Sequence, residues 1–568
     1  MTARSLCPAA ADLATLAKVA LGQQEADLVL RDGTLLNVFT GELLEGYSVA
    51  IKGERIAYVG KDASHALGSN TRVVDARGQY LVPGFVDGHT HLVDNTCTIA
   101  ESLRFMIPGG VTTIATVMAG VGNVLGFPGL SHFLRVLEEQ PIKIFALVPS
   151  MAPPYPELEQ STGVSEEELA RLLGSPQVLG MGEVFWFRVL GDPEGVADLF
   201  SQCLRDGKVL EGHLPGLQGT RLVACAAAGV SSCHESSSVD EALERMRLGL
   251  YAMVRQNAQR RDLEAISQMR VAPLDFRRMV LVTDGAWPGD LLAGRHLGYV
   301  AQRAIDLGFD PVKVIQMVTL NPAEHFSLDG SIGAIAPGRY ADILLLPSLK
   351  KMEPHLVLSN GRPVARDGRL LVELRKDEYP AWAFATVHLP QKLEPEDFAV
   401  SVCDEWSKAK VRAIQMEEGI ITREVIVTLP VVRGRVLSRP KEDVLKAAVI
   451  NRHDGKGRRG VGFVRGLGLR SGAFASTISR ETCNIVVVGA DDEDMAMAVN
   501  RLREIQGGLV VCQGCQVIEE IALPIAGIMS TWTLESVVQG MEAIQGAVAS
   551  LGCPVPEPFS VLQVIPWT

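Results

Sequence analysis

The chain has 568 residues, too many for a single hydrophobic core, and its 47% hydrophobic and 5% aromatic residues are typical of a globular protein. Its formal net charge of −12 argues against nucleic-acid binding and favours a small-molecule partner. No apolar run approaches about 18 residues, so we expect no membrane span. The N-terminus lacks a basic segment followed by an apolar one, so we expect no signal peptide. The ten scattered cysteines suggest a reducing cytoplasm.

The first 80 residues predict a helical lead-in and then a small β domain. Residues 1–25 carry apolar residues at helical spacing. From residue 26, short β-rich runs are separated by turn dipeptides such as Asp32-Gly33 and Lys52-Gly53. Similar runs return over residues 331–372, so we expect 26–80 and 331–372 to form one discontinuous β-sandwich domain.

Residues 81–330 alternate apolar, strand-like runs with helical segments. The strand candidates are 81–91, 111–118, 142–149, 178–184, 209–215, 229–235, 251–256 and 279–285. Eight such alternations in roughly 250 residues are typical of a TIM-type (β/α)8 barrel, whose active site lies at the C-terminal ends of the strands. The fold class is therefore predicted to be α/β.

The remainder of the chain predicts a linker and a further domain. Residues 373–400 contain three prolines and read as a linker. Residues 401–568 mix strand and helix patterns and predict a C-terminal α+β domain.

Polar residues at the predicted strand ends point to a metal site. His89 and His91 are two residues apart on a strand, so their side chains share one face. The ends of strands four, five, six and eight add Glu183, His213, His234 and Asp284. Each residue alone could be an ordinary loop side chain. Together, four histidines and two carboxylates at one barrel mouth would hold two divalent ions, with Glu183 as the bridging ligand.

Several long motifs make the sequence resemble a known family. PGFVDGHTH, GMGE, GHLPGL, SSCHE, LVTDG and TLNPAEHFSLDGSIGAIAPGRYADILLL resemble the amidohydrolase superfamily and, more specifically, the bacterial adenine deaminases. VINRHDGKGRRGVGFVRGLGL, NIVVVGADDEDMAMAVNRL and LPIAGIMS resemble the C-terminal domain of that family. The resemblance implies metal-dependent hydrolysis of a purine amino group to a carbonyl, with release of ammonia.

The resemblance also implies residue roles and partners. It assigns the same six residues as metal ligands, and Asp284 as the group that takes a proton from water and passes it to the departing amine. Glu235 is the candidate acid for a ring nitrogen or else a partner of His234, and Arg255 either binds substrate or caps a helix. Manganese, iron and zinc all suit this ligand set. We expect a purine or related heterocycle as partner, no nucleic acid or membrane, and an even-numbered homo-oligomer.

The chain departs from the usual adenine deaminase pattern around these ligands. Polar runs of the family are replaced at Val93–Asn95, Val117–Gly120 and Arg480–Cys483, and single acidic residues are replaced by Cys233 and Gly285. Altered hydrogen-bonding groups change which substrates a site rejects. We therefore predict weak activity on unmodified adenine and a better substrate among substituted purines or other heterocycles, such as one with an acidic group facing Arg480.

Two other functions remain open from the sequence. One is hydrolysis of a cyclic amide or ureide by an amidohydrolase; many such relatives bridge their metals with a carboxylated lysine on strand four, where this chain has Glu183. The other is a non-catalytic relative kept for binding or regulation, which metal analysis of the purified protein would distinguish.

Overall fold

The computed structural model describes residues 6–159, 161–376, 378–417, 422–480 and 482–567. The chain begins with one helix and a group of strands, which are α1 (Ala10–Ala20), β1 (Leu28–Asn37), β2 (Glu42–Lys52), β3 (Arg55–Gly60), β4 (Arg72–Asp75) and β5 (Tyr80–Pro83). Helix α1 buries Leu16 and Val19 against this sheet, whereas Leu13 on the helix and Leu21 just after it are exposed.

Eight parallel strands follow in sequential order around a barrel. They are β6 (Phe85–Thr90), β7 (Val111–Val117), β8 (Lys143–Pro149), β9 (Val178–Phe185), β10 (Val209–His213), β11 (Ser232–Cys233), β12 (Tyr251–Arg255) and β13 (Met279–Val282). The Asp284 N–H donates to the His89 carbonyl at 3.1 Å, which joins the end of the last strand to the first. The predicted (β/α)8 barrel is confirmed.

Helices surround these strands and share one apolar core with them. They are α2 (Ile99–Met106), α3 (Ala119–Leu137), α4 (Pro156–Glu159), α5 (Glu166–Leu173), α6 (Trp186–Gly191), α7 (Pro193–Arg205), α8 (Gly219–Ala227), α9 (Val239–Arg247), α10 (Asp262–Ile266), α11 (Pro288–Leu292), α12 (Leu297–Asp306), α13 (Pro311–Met317) and α14 (Leu320–His325). Ser165 caps α5 in a reciprocal arrangement with Glu168, which fixes where this helix begins.

After the barrel the chain returns to the first sheet. The strands β14 (Ile343–Leu346), β15 (Leu356–Ser359), β16 (Arg362–Arg366) and β17 (Arg369–Leu370) run antiparallel, and β14 pairs with β5. Nine strands from both chain segments thus form one sheet. The single strand predicted over 81–91 is in fact two, because β5 belongs to this sheet and β6 to the barrel.

The C-terminal region, residues 400–567, contains a ten-stranded sheet with helices packed on it. Its elements are β18 (Val400–Ser401), β19 (Lys408–Met416), β20 (Thr422–Val432), β21 (Arg435–Val436), β22 (Val444–Ile450), β23 (Arg459–Arg465), β24 (Ala473–Ser476), β25 (Ile485–Gly489), α15 (Asp492–Glu504), β26 (Gly508–Gln513), β27 (Gln516–Ala522), α16 (Leu534–Ser550) and α17 (Pro558–Leu562). In the described ranges, no helix has the length and apolar character to cross a membrane.

Candidate metal centre

The structure brings all six predicted ligands together at the mouth of the barrel. Each lies in, or within two residues after, a barrel strand. Their ligand atoms form two groups, in each of which all atoms lie within 4.8 Å of one another. The groups are His89, His91 and Asp284, and Glu183, His213, His234 and Glu235.

Glu183 lies between the two groups. Its Oε1 is 3.3 Å from His91 Nε2, 3.7 Å from His89 Nε2 and 3.6 Å from His234 Nε2. Its Oε2 is 2.6 Å from His213 Nδ1. Oε1 therefore lies near histidines of both groups and Oε2 lies near His213, so this one carboxylate reaches both groups, as a bridging ligand would.

Several buried polar atoms of the cluster fit a divalent cation. Within the described part of the chain, His89 Nε2, Glu183 Oε2, His213 Nδ1 and Glu235 Oε1 are buried and have no hydrogen-bond partner. His213 Nδ1 and Glu183 Oε2 lie 2.6 Å apart, close enough for both to serve one cation. Because ligand atoms sit about 2.0–2.2 Å from an ion, such neighbours lie roughly 3 Å apart around it. The donor set therefore fits metal binding.

Two of the carboxylates are held by strained backbone. Glu183 has φ of 54° and Asp284 has φ of 56°, in the left-handed region that side chains other than glycine rarely adopt. The pairing of β9 with β10 shifts register at this point, between Leu210 and Gly212. Such strain persists only where the surrounding structure imposes it, and it concentrates at functional sites.

Glu211 and His325 belong to the site but were not predicted. Glu211 is buried on β10, where its carboxylate is 3.1 Å from His89 Nδ1 and 3.3 Å from His325 Nε2. Burial disfavours the charged imidazole, but Asp284 and Glu211 raise the pKa of His89 to about 10. The carboxylates thus favour a positive charge at this place. One signal was available, because Glu211 and His213 are two residues apart on one strand and share its face.

Glu235 has contacts within the ligand cluster besides those with the neighbouring His234. Its Oε2 accepts hydrogen bonds from the Leu214 N–H at 2.9 Å and the Cys233 thiol at 3.2 Å. Its Oε1 is 2.9 Å from His213 Nδ1. One oxygen is therefore fixed by the protein while the other faces the second group of ligands.

Arg255 contacts carboxylates instead of the open cavity. Its Nε donates to Asp262 at 2.6 Å and its Nη1 donates to Asp284 Oδ2 at 3.0 Å. Arg255 is buried, and it is absent from the described residues that line the cavity beside the cluster. The structure therefore places Arg255 beside Asp284 and outside the described lining of this cavity, and its role in substrate binding stays a prediction.

A cavity of about 100 Å³ opens beside the ligands, reaching His91 and Asp284. Loops of the barrel and of the C-terminal region both form its walls. The barrel contributes Asn257, Gln259, Arg260, Gly285, Ala286 and Trp287, and the C-terminal region contributes Ile478, Arg480, Cys483, Ile528 and Gln563. The site is therefore composite, with metal-type ligands from the barrel and much of the cavity wall from the C-terminal region.

The runs that replace usual family residues lie at different distances from this cavity. Arg480 and Cys483 line it, whereas none of its described lining residues comes from Val117–Gly120, which is buried where β7 meets α3. Val93 is buried, and the side chains of Asp94, Asn95 and Glu481 lie outside the described residues. Of the two longer runs, the one at Arg480–Cys483 therefore contributes to the described cavity wall, and the one at Val117–Gly120 does not.

Comparison with known proteins gives one family along nearly the whole chain. The family model described as "Amidohydrolase family" matches residues 80–364, and "Adenine deaminase C-terminal domain" matches residues 419–568. Adenine deaminase of Moorella thermoacetica is 41% identical over 558 residues, covering 97% of this chain and 93% of the relative. That of Clostridium botulinum is 37% identical with the same coverage. That of Rubrobacter xylanophilus is 39% identical over 560 residues, covering 97% and 92%.

Proposed function

Because this chain belongs to the adenine deaminase family of amidohydrolases, we propose that it hydrolyses the amino group of adenine or a closely related purine, releasing ammonia. It is a hydrolase of C–N bonds, and its family implies a divalent metal. The observation that carries the proposal is the convergence of four histidines and two carboxylates at the mouth of the barrel, where two of them, His91 and Asp284, also line a cavity.

The cluster would hold two ions. His89, His91 and Asp284 would bind one, His213 and His234 the other, and Glu183 would bridge them. The ligand set suits manganese, iron or zinc. When bound, such ions supply a nucleophile at neutral pH by lowering the pKa of water.

Asp284 is positioned to move protons. Its Oδ1 is 3.4 Å from His89 Nε2 and 3.5 Å from His91 Nε2, while Oδ2 accepts from Arg255. The residue also lines the cavity, so it would lie between the other ligands and a purine bound there. A carboxylate at this place can take a proton from water and deliver it to the departing amine. Arg255 would act through Asp284 by fixing the orientation of its carboxylate.

Glu235 is the candidate to protonate a ring nitrogen as the amino-bearing carbon is attacked. The Leu214 N–H fixes one of its oxygens, so the other is held toward the cluster. Its distance of 2.9 Å from His213 also fits a second role, as a ligand of the second ion. The two roles predict different behaviour of Glu235→Gln.

The composite cavity would enclose the heterocycle. The indole of Trp287 offers an apolar face for stacking, and the Gln563 amide offers a donor and an acceptor for a purine edge. Because the C-terminal region covers the barrel mouth here, it would also exclude bulk water from the reacting atoms.

The test is ammonia release from adenine by protein stripped with a chelator and reloaded with manganese, iron or zinc. We expect no turnover without metal, restoration on reloading, and close to two ions per chain. In Glu235→Gln, an acid would lower kcat at least about 10²-fold with metal content unchanged, whereas a ligand would lower the metal content itself. Full activity in metal-free protein would refute the proposal. So would fully metallated protein that releases no ammonia from adenine or its derivatives.

We also propose that the protein works in the cytoplasm, because its ten cysteines are scattered through a large chain and show no spacing typical of a disulfide framework. An even-numbered homo-oligomer stays a prediction on general grounds.

A further inference from the structure

Two arginines reach the cavity from different parts of the chain. Arg260 lies in the loop after β12 of the barrel, and Arg480 lies in the loop after β24 of the C-terminal region. Both line the cavity that also contains His91 and Asp284. Two guanidinium groups therefore border the space in which a substrate would meet the ligand cluster.

The loop that carries Arg260 is fixed by Asn257. The Asn257 side-chain oxygen accepts from the N–H groups of Gln259 at 2.9 Å and Arg260 at 2.8 Å. Its amide nitrogen donates to the carbonyl oxygens of Thr283 and Gly285, each at 3.1 Å. Arg260 is thereby tied to the strand end that presents Asp284.

The loop that carries Arg480 is also anchored. The Cys483 N–H donates to the Ser479 carbonyl at 2.8 Å, which closes a tight turn around Arg480. Asn123, on barrel helix α3, donates from its side chain to the Thr482 carbonyl at 2.8 Å. The turn is therefore held against the barrel, and Arg480 is presented from a fixed base.

Neither cation has an anionic partner in the described part of the chain. No ion pair or side-chain hydrogen bond involves Arg260 or Arg480 among the described residues, and Arg480 Nε is buried without a partner. Arg255 nearby differs, because Asp262 and Asp284 both pair with it. Burial, with the charges of Arg255 and Arg480, lowers the pKa of Arg260 to about 10 against the opposing effect of the Asp284 and Asp262 carboxylates, which form no ion pair with it, so it stays protonated at neutral pH.

Partly buried, unpaired cations are costly to hold beside each other, and a site that keeps them has a use for an anion. The planar guanidinium matches carboxylate and phosphate oxygens in paired hydrogen bonds. Resting on the deaminase function proposed above, we infer that the preferred substrate is an aminopurine-like heterocycle carrying an anionic group, a carboxylate or a phosphate, which Arg260 and Arg480 bind.

The test compares matched charged and neutral substrates on the full-length, manganese-loaded protein. The probes are adenine with a carboxymethyl group at N9, C2 or the exocyclic nitrogen, each beside its carboxamide, and an N9 phosphonomethyl compound as a separate arm. We expect at least one anionic probe to exceed both its neutral counterpart and adenine by at least about tenfold in kcat/KM, since charge-assisted hydrogen bonds are strong. Calorimetry with the same compounds should give the same order of affinity.

Variants locate the anion. Arg260→Gln and Arg480→Gln should each reduce the anionic-to-neutral ratio by at least about fivefold, and Arg480→Lys should retain part of it. The matched control is Arg366→Gln, at an exposed position of β16 away from the cavity, which should leave the ratio unchanged. Bound metal per chain, measured in each variant, shows that the ligand cluster is intact.

Equal rates for charged and neutral probes on an enzyme that deaminates adenine would overturn this inference and leave the proposed function standing. A preference that survives in the Arg260→Gln/Arg480→Gln double variant would also overturn it, because the anion would then bind at the metal ions. If metallated protein released no ammonia from any probe, the proposed function would fail. Calorimetry would still test the arginine site. Binding that prefers the anionic probe and is lost in both arginine variants would support the site, and equal binding of charged and neutral probes would refute it.

Discussion

The carboxylate of Glu211 should control how tightly the site binds metal, and Glu211→Gln tests this. Glu211 is 1% exposed, and its two oxygens face His89 Nδ1 and His325 Nε2. Glutamine keeps the size of the side chain but removes its charge and replaces one acceptor by an NH2 donor. The amide oxygen can accept from the His89 Nδ1–H, and His325 can keep a hydrogen bond only as a neutral ring whose Nε2 accepts from the NH2 group; the negative charge between the two rings is lost in either case.

The size of the effect follows from what Glu211 does for His89. An Nδ1–H that donates to Glu211 leaves the Nε2 lone pair directed at the cluster, where Asp284 Oδ1 and Glu183 Oε1 lie 3.4 and 3.7 Å away. Loss of such an outer partner typically costs about 10- to 100-fold in metal affinity or activity. This range is about 1.4–2.7 kcal/mol at 1.36 kcal/mol per tenfold. We expect the upper half of it, because the lost interaction is buried and charged.

The assay is titration of metal-free protein with manganese or zinc against a competing chelator, followed by kcat at saturating metal. Glu353→Gln is the matched control, since Glu353 is exposed and pairs only at the surface with Lys351. His325→Phe removes the outer partner alone and should cost less than Glu211→Gln. A Glu211→Gln protein that binds metal within about twofold of wild type would refute this reasoning.

Further variants test proton transfer and pH dependence. Asp284→Asn and His89→Ala should each lower turnover at least about 10²-fold in folded protein, because they remove proton-transfer or ligand groups; more than about a tenth of the wild-type rate would contradict the assignment. His453 concerns stability: burial and the charge of Arg452 lower its pKa to about 3, from 6.5 in the unfolded chain. The unfolded chain therefore takes up a proton first as the pH falls, so His453 destabilises the fold progressively below about pH 6.5, by up to about 1.4 kcal/mol per unit. In wild type the urea concentration at half-unfolding should fall between about pH 6.5 and 4.5, and His453→Gln should make this fall smaller. If the midpoints of wild type and variant fell in parallel with pH, His453 would not cause the loss of stability.

The barrel was predictable because its strands are short apolar runs that end in polar residues, and this pattern is local. The exception was the segment after Tyr80, which reads as one continuous strand. The break falls at Gly84, whose N–H donates to the Asp342 carbonyl at 2.9 Å. A side chain there would lie 2.1 Å from Thr112 Oγ1. Because both neighbours are distant in sequence, no local pattern reports the break.

In the candidate site, too, some residues could be predicted from local sequence patterns and others could not. The six residues of the ligand cluster could be found because each lies at or just after the end of an apolar strand. Glu211 lies inside its strand and looks like an ordinary strand residue until His89 and His325 are placed around it. Arg260 has no sequence pattern at all, since its significance depends on Arg480 approaching from the C-terminal region. Side chains whose role depends on contacts between distant segments were therefore missed.

The separation of ligand cluster and cavity wall explains how the chemistry could be kept while the substrate changes. Glu183 and Asp284 are held at barrel strand ends in strained backbone that the surrounding barrel imposes, so their positions depend on the barrel. Arg480 lies on a turn that is anchored separately, through Asn123 and the Thr482 carbonyl. Exchanging residues on that turn alters which groups meet the substrate without moving a ligand. Turnover at saturating substrate should thus report on the barrel, whereas the ratio of kcat/KM between substrates should report on the turn.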